Sequence, residues 1–525
     1  MRANTNKLMR YIFLVTLLTT CCNIQSQPDS VVIGEAPNGK EIYSYERDTK
    51  FPISSISWKR KDNTLNIVTA NRLSENLNFR SIVMRYNLDN GQLLWTIAKN
   101  DNVSAALHSE HGIITIEDNI LKLHDSNDGN MIWEKKLYPI YRNDSLDLII
   151  GYKKPYNNAN SIIALRLGTG EQLWEGKIKR MHNLGWDRAR LIENEKMIVV
   201  ADDINMIDLR TGKTITVEAK TSQNDLLKTA IGIIGISLSN ILAHKMIPNG
   251  FTPYYLPQYG MGELCGLTSN IMEKDSCHYI ADRECLRCFS YDMEQLWRFD
   301  FPTGNSSYSL LYGNDKMLHM VNFGYGIGRN NCRMKHSVPF IATIDPITGN
   351  SIFFKTLAPG KEPINDAIIT DKDAFFMFDD RIVRQCDIND SVIKQIPWQH
   401  TQYGRPALFH CDTIYVANQN GCGFTAISCE NKYLNIITDK NNLVITDSCL
   451  NLIKVYKESD LYQVGFKHGD YKYIYKHLKK SKYDSWIVHN NGTPVIHLKQ
   501  EFESIRSVGD YIVFICENKI RYIKL

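Results

Sequence analysis

A chain of 525 residues is long enough to bury one large core or several. Hydrophobic residues at 43% and charged residues at 22% are ordinary for a folded protein, which excludes wholesale disorder. A net charge of +4 is too small for a dominant nucleic-acid footprint, which needs a concentrated basic face. The one local basic run, residues 476–482 (KHLKKSK), reads as a solvated turn between strands.

Residues 1–27 read as a signal peptide. Arg2, Lys7 and Arg10 form a positive leading region, and residues 11–18 (YIFLVTLL) form an apolar core too short to span a bilayer. The sequence Leu18-Thr19-Thr20-Cys21 that follows resembles the lipobox of bacterial lipoproteins. That resemblance implies lipidation at Cys21; Thr20 departs from the Gly, Ala or Ser of the pattern. Cleavage near Ser26, giving a soluble exported chain, is the alternative. Either reading implies export to the periplasm, or to the outer membrane and surface of a Gram-negative bacterium.

From residue 34 onward one element recurs: a short apolar strand, a polar turn with Gly, then a large residue four places after the Gly. Residues 82–95 read IVMRYNLDNGQLLW, 120–133 read ILKLHDSNDGNMIW, and 162–174 read IIALRLGTGEQLW. Residues 204–216 read INMIDLRTGKTIT, and 341–353 read IATIDPITGNSIF; a degenerate copy, 286–297, reads LRCFSYDMEQLW. Weaker copies end at Ile393 and Ile496. Alternation such as Ile163, Leu165 and Leu167 suits a strand with a buried face. The turn glycines Gly91, Gly129, Gly170, Gly212 and Gly349 permit positive φ. Trp95, Trp133, Trp174, Trp297 and Phe353 then supply a ring that two strands cannot bury alone, so neighbouring repeats must stack.

Trp95, Trp133, Trp174 and Thr216 follow one another at 38, 41 and 42 residues, a period that fits a four-stranded propeller blade. The step from Thr216 to Trp297 is 81, which predicts an inserted segment around residues 222–275. Within it, 226–243 (LLKTAIGIIGISLSNILA) reads as a helix packed on the sheets. The expected fold is all-β: one β-propeller domain over residues 34–525, of about eight blades (seven to nine). The N-terminal turn at Gly39 and the strands of residues 511–525 are expected to share one composite blade and close the ring.

At residues 91–95, 129–133 and 169–174 the sequence resembles the quinoprotein-type, PQQ-like propeller repeat. That family includes quinone-dependent dehydrogenases. It also includes non-catalytic periplasmic propellers, such as the lipoprotein subunit of the outer-membrane barrel assembly machinery. The dehydrogenases hold an adjacent Cys-Cys disulfide against the quinone, and the adjacent pair in this chain, Cys21-Cys22, lies in the leader. No cofactor, metal or catalytic residue is therefore expected, and the repeat is read as a structural device.

Eleven of the 13 cysteines lie beyond Cys22. Cys265, Cys277, Cys285 and Cys288 cluster, and in an exported chain they are disulfide candidates ahead of a zinc site, because only one CxxC is present. Cys422 and Cys429 are a further candidate pair. Residues 324–328 (GYGIG) lack the strand-to-helix context of a nucleotide site and read as a loop. Asp202-Asp203 and Asp379-Asp380 read as turns, and His108 with His111 makes no zincin motif. The expected function is a non-enzymatic extracytoplasmic binding or scaffold protein. Its partner is an envelope protein or a glycan, with no nucleic acid and with membrane contact only through the lipid anchor. The alternatives are a divergent quinone dehydrogenase or a carbohydrate-active hydrolase or lyase.

Overall fold

The computed structural model describes residues 29–525 apart from the segment 225–262 and shorter gaps, the longest of them at 71–80. The described residues contain no α-helix. They form strands of two to eight residues, organised mainly as four-stranded antiparallel sheets. Cys21, residues 226–243, Asp379-Asp380, Cys422 and Cys429 lie outside the described residues. The chain divides into two compact units, one of residues 1–134, 417–426 and 462–525, the other of residues 135–416 and 427–461.

The second unit shows the building rule most plainly. Its first sheet runs Tyr138–Asn143, Leu148–Tyr152, Ser161–Arg166, Gln172–Lys177, in chain order. The apolar run of Leu148–Tyr152 is buried along its whole length, so both faces of this central strand are covered. The outer strand Gln172–Lys177 alternates exposed residues with a buried Trp174. Ala164 pairs with Trp174, and a bulge follows where the turn tightens.

Five more four-stranded sheets follow in this unit. Each is stacked on the next through a shared core. Tyr152 and Trp174 of the first sheet pack in one cluster with Met197, Val199 and Ile207 of the second. Ile198 and Met206 of the second sheet join Ile280 and Phe289 of the third. Leu286 and Cys288 of the third join Met320 and Phe340 of the fourth. Val321 and Ile341 meet Ala374 and Phe376 of the fifth, and Phe375 and Met377 meet Leu434 and Ile436 of the sixth. Such sheet-to-sheet stacking is the solution for repeats that cannot bury their rings alone.

Of the inserted segment, Gln223–Asn224 pairs with Glu263–Leu264. The glycine-rich stretch read as a loop is a small hairpin, Tyr325–Ile327 against Arg333–Lys335. A Cβ at Gly326 would stand 2.6 Å from Cγ of Leu264, so that glycine admits the buried Leu264 and Leu267 from the end of the insertion.

In the first unit, two four-stranded sheets span strands Ile53–Lys59 to Gln92–Lys99 and Val103–Ser109 to Met131–Lys136. A continuous run of strands joins the two ends of the chain. The N-terminal hairpin, Asp29–Glu35 and Glu41–Asp48, sits between Pro494–Leu498 on one side and Lys519–Lys524 on the other. Glu35 pairs with His497, and Tyr45 with Tyr522. Glu46 is held by Lys519 at 2.8 Å and Arg521 at 2.6 Å. The sequence shows little strand before the Gly39 turn, yet Asp29–Glu35 is a seven-residue strand. The C-terminal strands pack in one cluster with Leu65, Ile67 and Met84 of the neighbouring sheet.

Candidate functional site

The recurring turn residues hold their sheets together by one repeated device. Gly91, Gly129, Gly170, Gly212 and Gly349 all lie at φ between 65° and 75°. Three indoles, Trp95, Trp174 and Trp297, each reach the turn of the following sheet and donate a hydrogen bond to a carbonyl there: Trp95 Nε1 to Ser126 at 3.0 Å, Trp174 to Leu209 at 2.8 Å, and Trp297 to Pro346 at 2.9 Å. The indole then lies against that turn's glycine. A Cβ at Gly129 would stand 3.0 Å from Cδ2 of Trp95. At Gly212 it would be 2.5 Å from Cε3 of Trp174, and at Gly349 2.6 Å from Cδ2 of Trp297. Each glycine thus answers two demands, left-handed backbone and room for a neighbour's ring. Trp133 is buried and Phe353 half-buried, each on its sheet's outer strand.

The degenerate copies show the converse. Met293 and Leu450 occupy the left-handed turn positions at φ 63° and 62°. The sheets before them end in Thr216 and in Ile393–Ile396, with no indole. Both side chains are buried, Met293 in the cluster that includes Val217 and Leu450 in the cluster that includes Ile396. The left-handed strain of about 1–2 kcal/mol is offset by burying a long apolar side chain.

A groove of about 350 Å³ lies beside the third sheet of the second unit. Its polar lining includes Glu218, Lys220, Glu284, Arg287, Gln295 and Arg298. Arg287 is buried; its Nη1 stands 3.0 Å from Asp282 Oδ2, an ion-pair contact without the angle of a hydrogen bond. Asp282 also accepts from the amides of Lys220, Glu284 and Cys285. Arg298, opposite Arg287 across the strands, is engaged with Asp300 at 2.7 Å. Both guanidiniums therefore already stand beside a carboxylate.

The four clustered cysteines do not converge. Cys265 donates its amide to Ile327 in the small hairpin. Cys285 lies against Asp282, where burial pushes its thiol up to about 12. Cys277 and Cys288 come together, on one face of adjacent strands. None of the four is in a disulfide.

Sequence reading missed a chain of polar side chains in the first unit. Tyr462, Asp484 and His497 come from three strands. Tyr462 Oη donates to Asp484 Oδ2 at 2.6 Å, and His497 Nε2 contacts Asp484 Oδ1 at 2.9 Å. His497 Nδ1 stands 4.0 Å from Glu35, which Lys499 also holds at 2.7 Å. Trp486 stacks on the His497 ring, centroids 4.1 Å apart and planes within 7°. Burial works to raise the Asp484 carboxyl, but hydrogen bonds from Tyr462 and His497, with the His497 and Lys476 charges, outweigh it and hold it below the ordinary range. The arrangement sets a phenol, a carboxylate and an imidazole in one hydrogen-bonded chain. No spacing in the sequence announces it, because the three residues meet only across strand registers. Among the described residues no group of His, Cys, Asp and Glu is arranged to hold a metal ion.

No family model matches the chain, and neither does any curated protein. Solved structures similar to it include BamB from Moraxella catarrhalis, at 10% identity and a TM-score of 0.30, covering 67% of this chain and 96% of that one. A eukaryotic initiation factor reaches 0.36 at 10% identity, over 91% and 98%. Apo AztD from Citrobacter koseri reaches 0.30 at 12% identity, over 72% and 91%. Scores at this level assign neither family nor function.

Proposed function

We propose that this chain is a non-enzymatic binding or scaffold propeller that acts outside the cytoplasm, in the envelope of a Gram-negative bacterium, with a protein as its partner. In this reading the stacked sheets close into a ring, with the N-terminal hairpin and the C-terminal strands as the closure. The leader of residues 1–27 delivers it, and Cys21 anchors it.

One observation carries the binding reading. In seven sheets the residue three places after the left-handed turn position is apolar and exposed: Leu94, Ile132, Leu173, Ile215, Leu296, Ile352 and Ile453. Each stands on the outermost strand of its sheet, whose far edge has no strand partner in that sheet. Single exposed apolar residues are ordinary, but repetition at one place on open edges is what a protein partner would use. A photo-crosslinking residue at Leu173 or Ile352 should yield adducts with discrete envelope proteins in the native host. The same residue at Ile347, a turn position 85% exposed, is the control. No adduct at Leu173 or at Ile352, or equal adducts at Ile347, refutes the reading.

The Tyr462–Asp484–His497 chain favours a second reading, an acid–base enzyme acting on carbohydrate. Release of a chromophore from glycoside substrates that disappears in Asp484→Asn, with the fold retained, would establish it in place of the first.

A further inference from the structure

We propose that Cys277 and Cys288 are an oxidisable pair, joined by a cross-strand disulfide when the protein meets a small-molecule disulfide. The observations come from the third sheet of the second unit. Its strands Cys277–Ala281 and Cys285–Ser290 pair with Cys277 opposite Ser290 and Tyr279 opposite Cys288. Residues two apart on a strand share a face, so Cys277 and Cys288 are diagonal neighbours on the same face. Both belong to the cluster that carries Tyr279 and Trp297. The Cys277 thiol is also among the groups that act on the Cys288 thiol. Cys285 is three positions from Cys288 and so lies on the opposite face, beside Asp282. Of the three cysteines on these two strands, Cys277 and Cys288 are therefore the pair that shares a face.

The two thiols differ in access. Cys277 is half-exposed and Cys288 is buried at 1%. Burial and the neighbouring Cys277 push the Cys288 thiol up to about 12, so it does not initiate exchange. The reaction begins at Cys277. Its thiolate attacks one sulfur of oxidised glutathione, the glutathione S–S bond breaks, and one glutathione thiol leaves. Cys288 then loses its proton, its sulfur attacks Sγ of Cys277, and the second glutathione thiol leaves. Two protein thiols are oxidised, and one small disulfide is reduced to two thiols. The product pins the second strand of this sheet to the third, directly beside Trp297, which pairs with Cys288. An oxidising compartment favours this form.

The test uses residues 28–525, the chain without its leader and Cys21, and oxidised glutathione, followed by alkylation and tryptic mapping. Trypsin cuts after Lys274, Arg283, Arg287 and Arg298, so Cys277, Cys285 and Cys288 fall on three separate peptides. The expected product is peptide 275–283 linked to peptide 288–298, lighter by two hydrogens than the sum of the free peptides. Cys285 should remain on its own peptide, unlinked to either. In Cys288→Ser the exchange should stop at a glutathione adduct on Cys277. A link through Cys285 overturns the proposal. So does a lasting glutathione adduct on Cys277 of the unaltered protein, with Cys288 still open to alkylation after denaturation.

Discussion

The ring-over-glycine contact makes a quantitative prediction at Trp174 and Gly212. Trp174→Ala deletes a ring that is 7% exposed, together with its 2.8 Å hydrogen bond to Leu209. Aromatic truncations in cores cost about 3–5 kcal/mol, of which the hydrogen bond supplies about 1. Gly212→Ala meets two penalties. Its φ of 73° strains any L side chain by about 1–2 kcal/mol, and its Cβ would stand 2.5 Å from the indole, an overpacking of about 1–3 kcal/mol. In the Trp174→Ala background the second penalty disappears and the first remains. The double variant should therefore be more stable than the sum of the single losses predicts, by a coupling of about 1–3 kcal/mol. Urea unfolding followed by far-UV circular dichroism, on the four corners of the cycle, measures it. Gly304→Ala is the control, with φ 74° and nothing within 4 Å of its Cβ, and its cost should be the same in both backgrounds. Additivity of Trp174 and Gly212 within about 0.5 kcal/mol would refute the contact as the reason for the glycine.

Other outcomes follow from the same structure. Burial holds the His319 imidazole down at about 4, against about 6.5 in the unfolded chain, so the unfolded state binds the extra proton between those values. Stability should be full above pH 6.5 and fall by up to about 3 kcal/mol as pH drops to 4; a Tm profile of His319→Asn that keeps this slope would exclude His319 as its source. Asp282→Asn leaves the buried Arg287 without its counter-charge and should cost about 3–5 kcal/mol in urea, whereas the double change Asp282→Asn with Arg287→Met should recover much of that loss. A loss below about 1 kcal/mol for the single change would show that the pair is not desolvated. Gly492→Ala would place a Cβ 1.9 Å from the Phe424 carbonyl oxygen at φ 87°, and should open that contact to limited proteolysis; an unchanged digestion pattern would argue against the close approach.

The sheets were legible because their turns and rings recur at a spacing that only stacking can satisfy, and Trp95, Trp174 and Trp297 do reach a neighbour. What could not be read was the direction of that reach, since a periodic sequence does not say whether a ring serves its own turn or the next. The Met293 and Leu450 turns were equally opaque. Bulky residues argue against positive φ until the missing neighbouring ring is known. The Gly39 turn pointed to pairing of the chain ends, but the strand Asp29–Glu35 was hidden by its short alternation beside the leader. The cysteine cluster was visible as a cluster. Its internal geometry needed the strand register, as did the meeting of Tyr462, Asp484 and His497, which are separated by 22 and 13 residues.

The turn glycines also constrain the history of the molecule. A Cβ added at Gly349 while Trp297 is in place meets an occupied site, whereas loss of the ring first leaves room that a later side chain can fill. Substitution along this joint is therefore ordered: the ring goes before the glycine. Thr216 with Met293 is a joint with neither ring nor glycine, and Trp297 with Gly349 is one with both. A descendant carrying Thr before a retained glycine would be the intermediate, stable but open to change. The reverse combination, a ring facing a bulky turn residue, is the one that selection should remove.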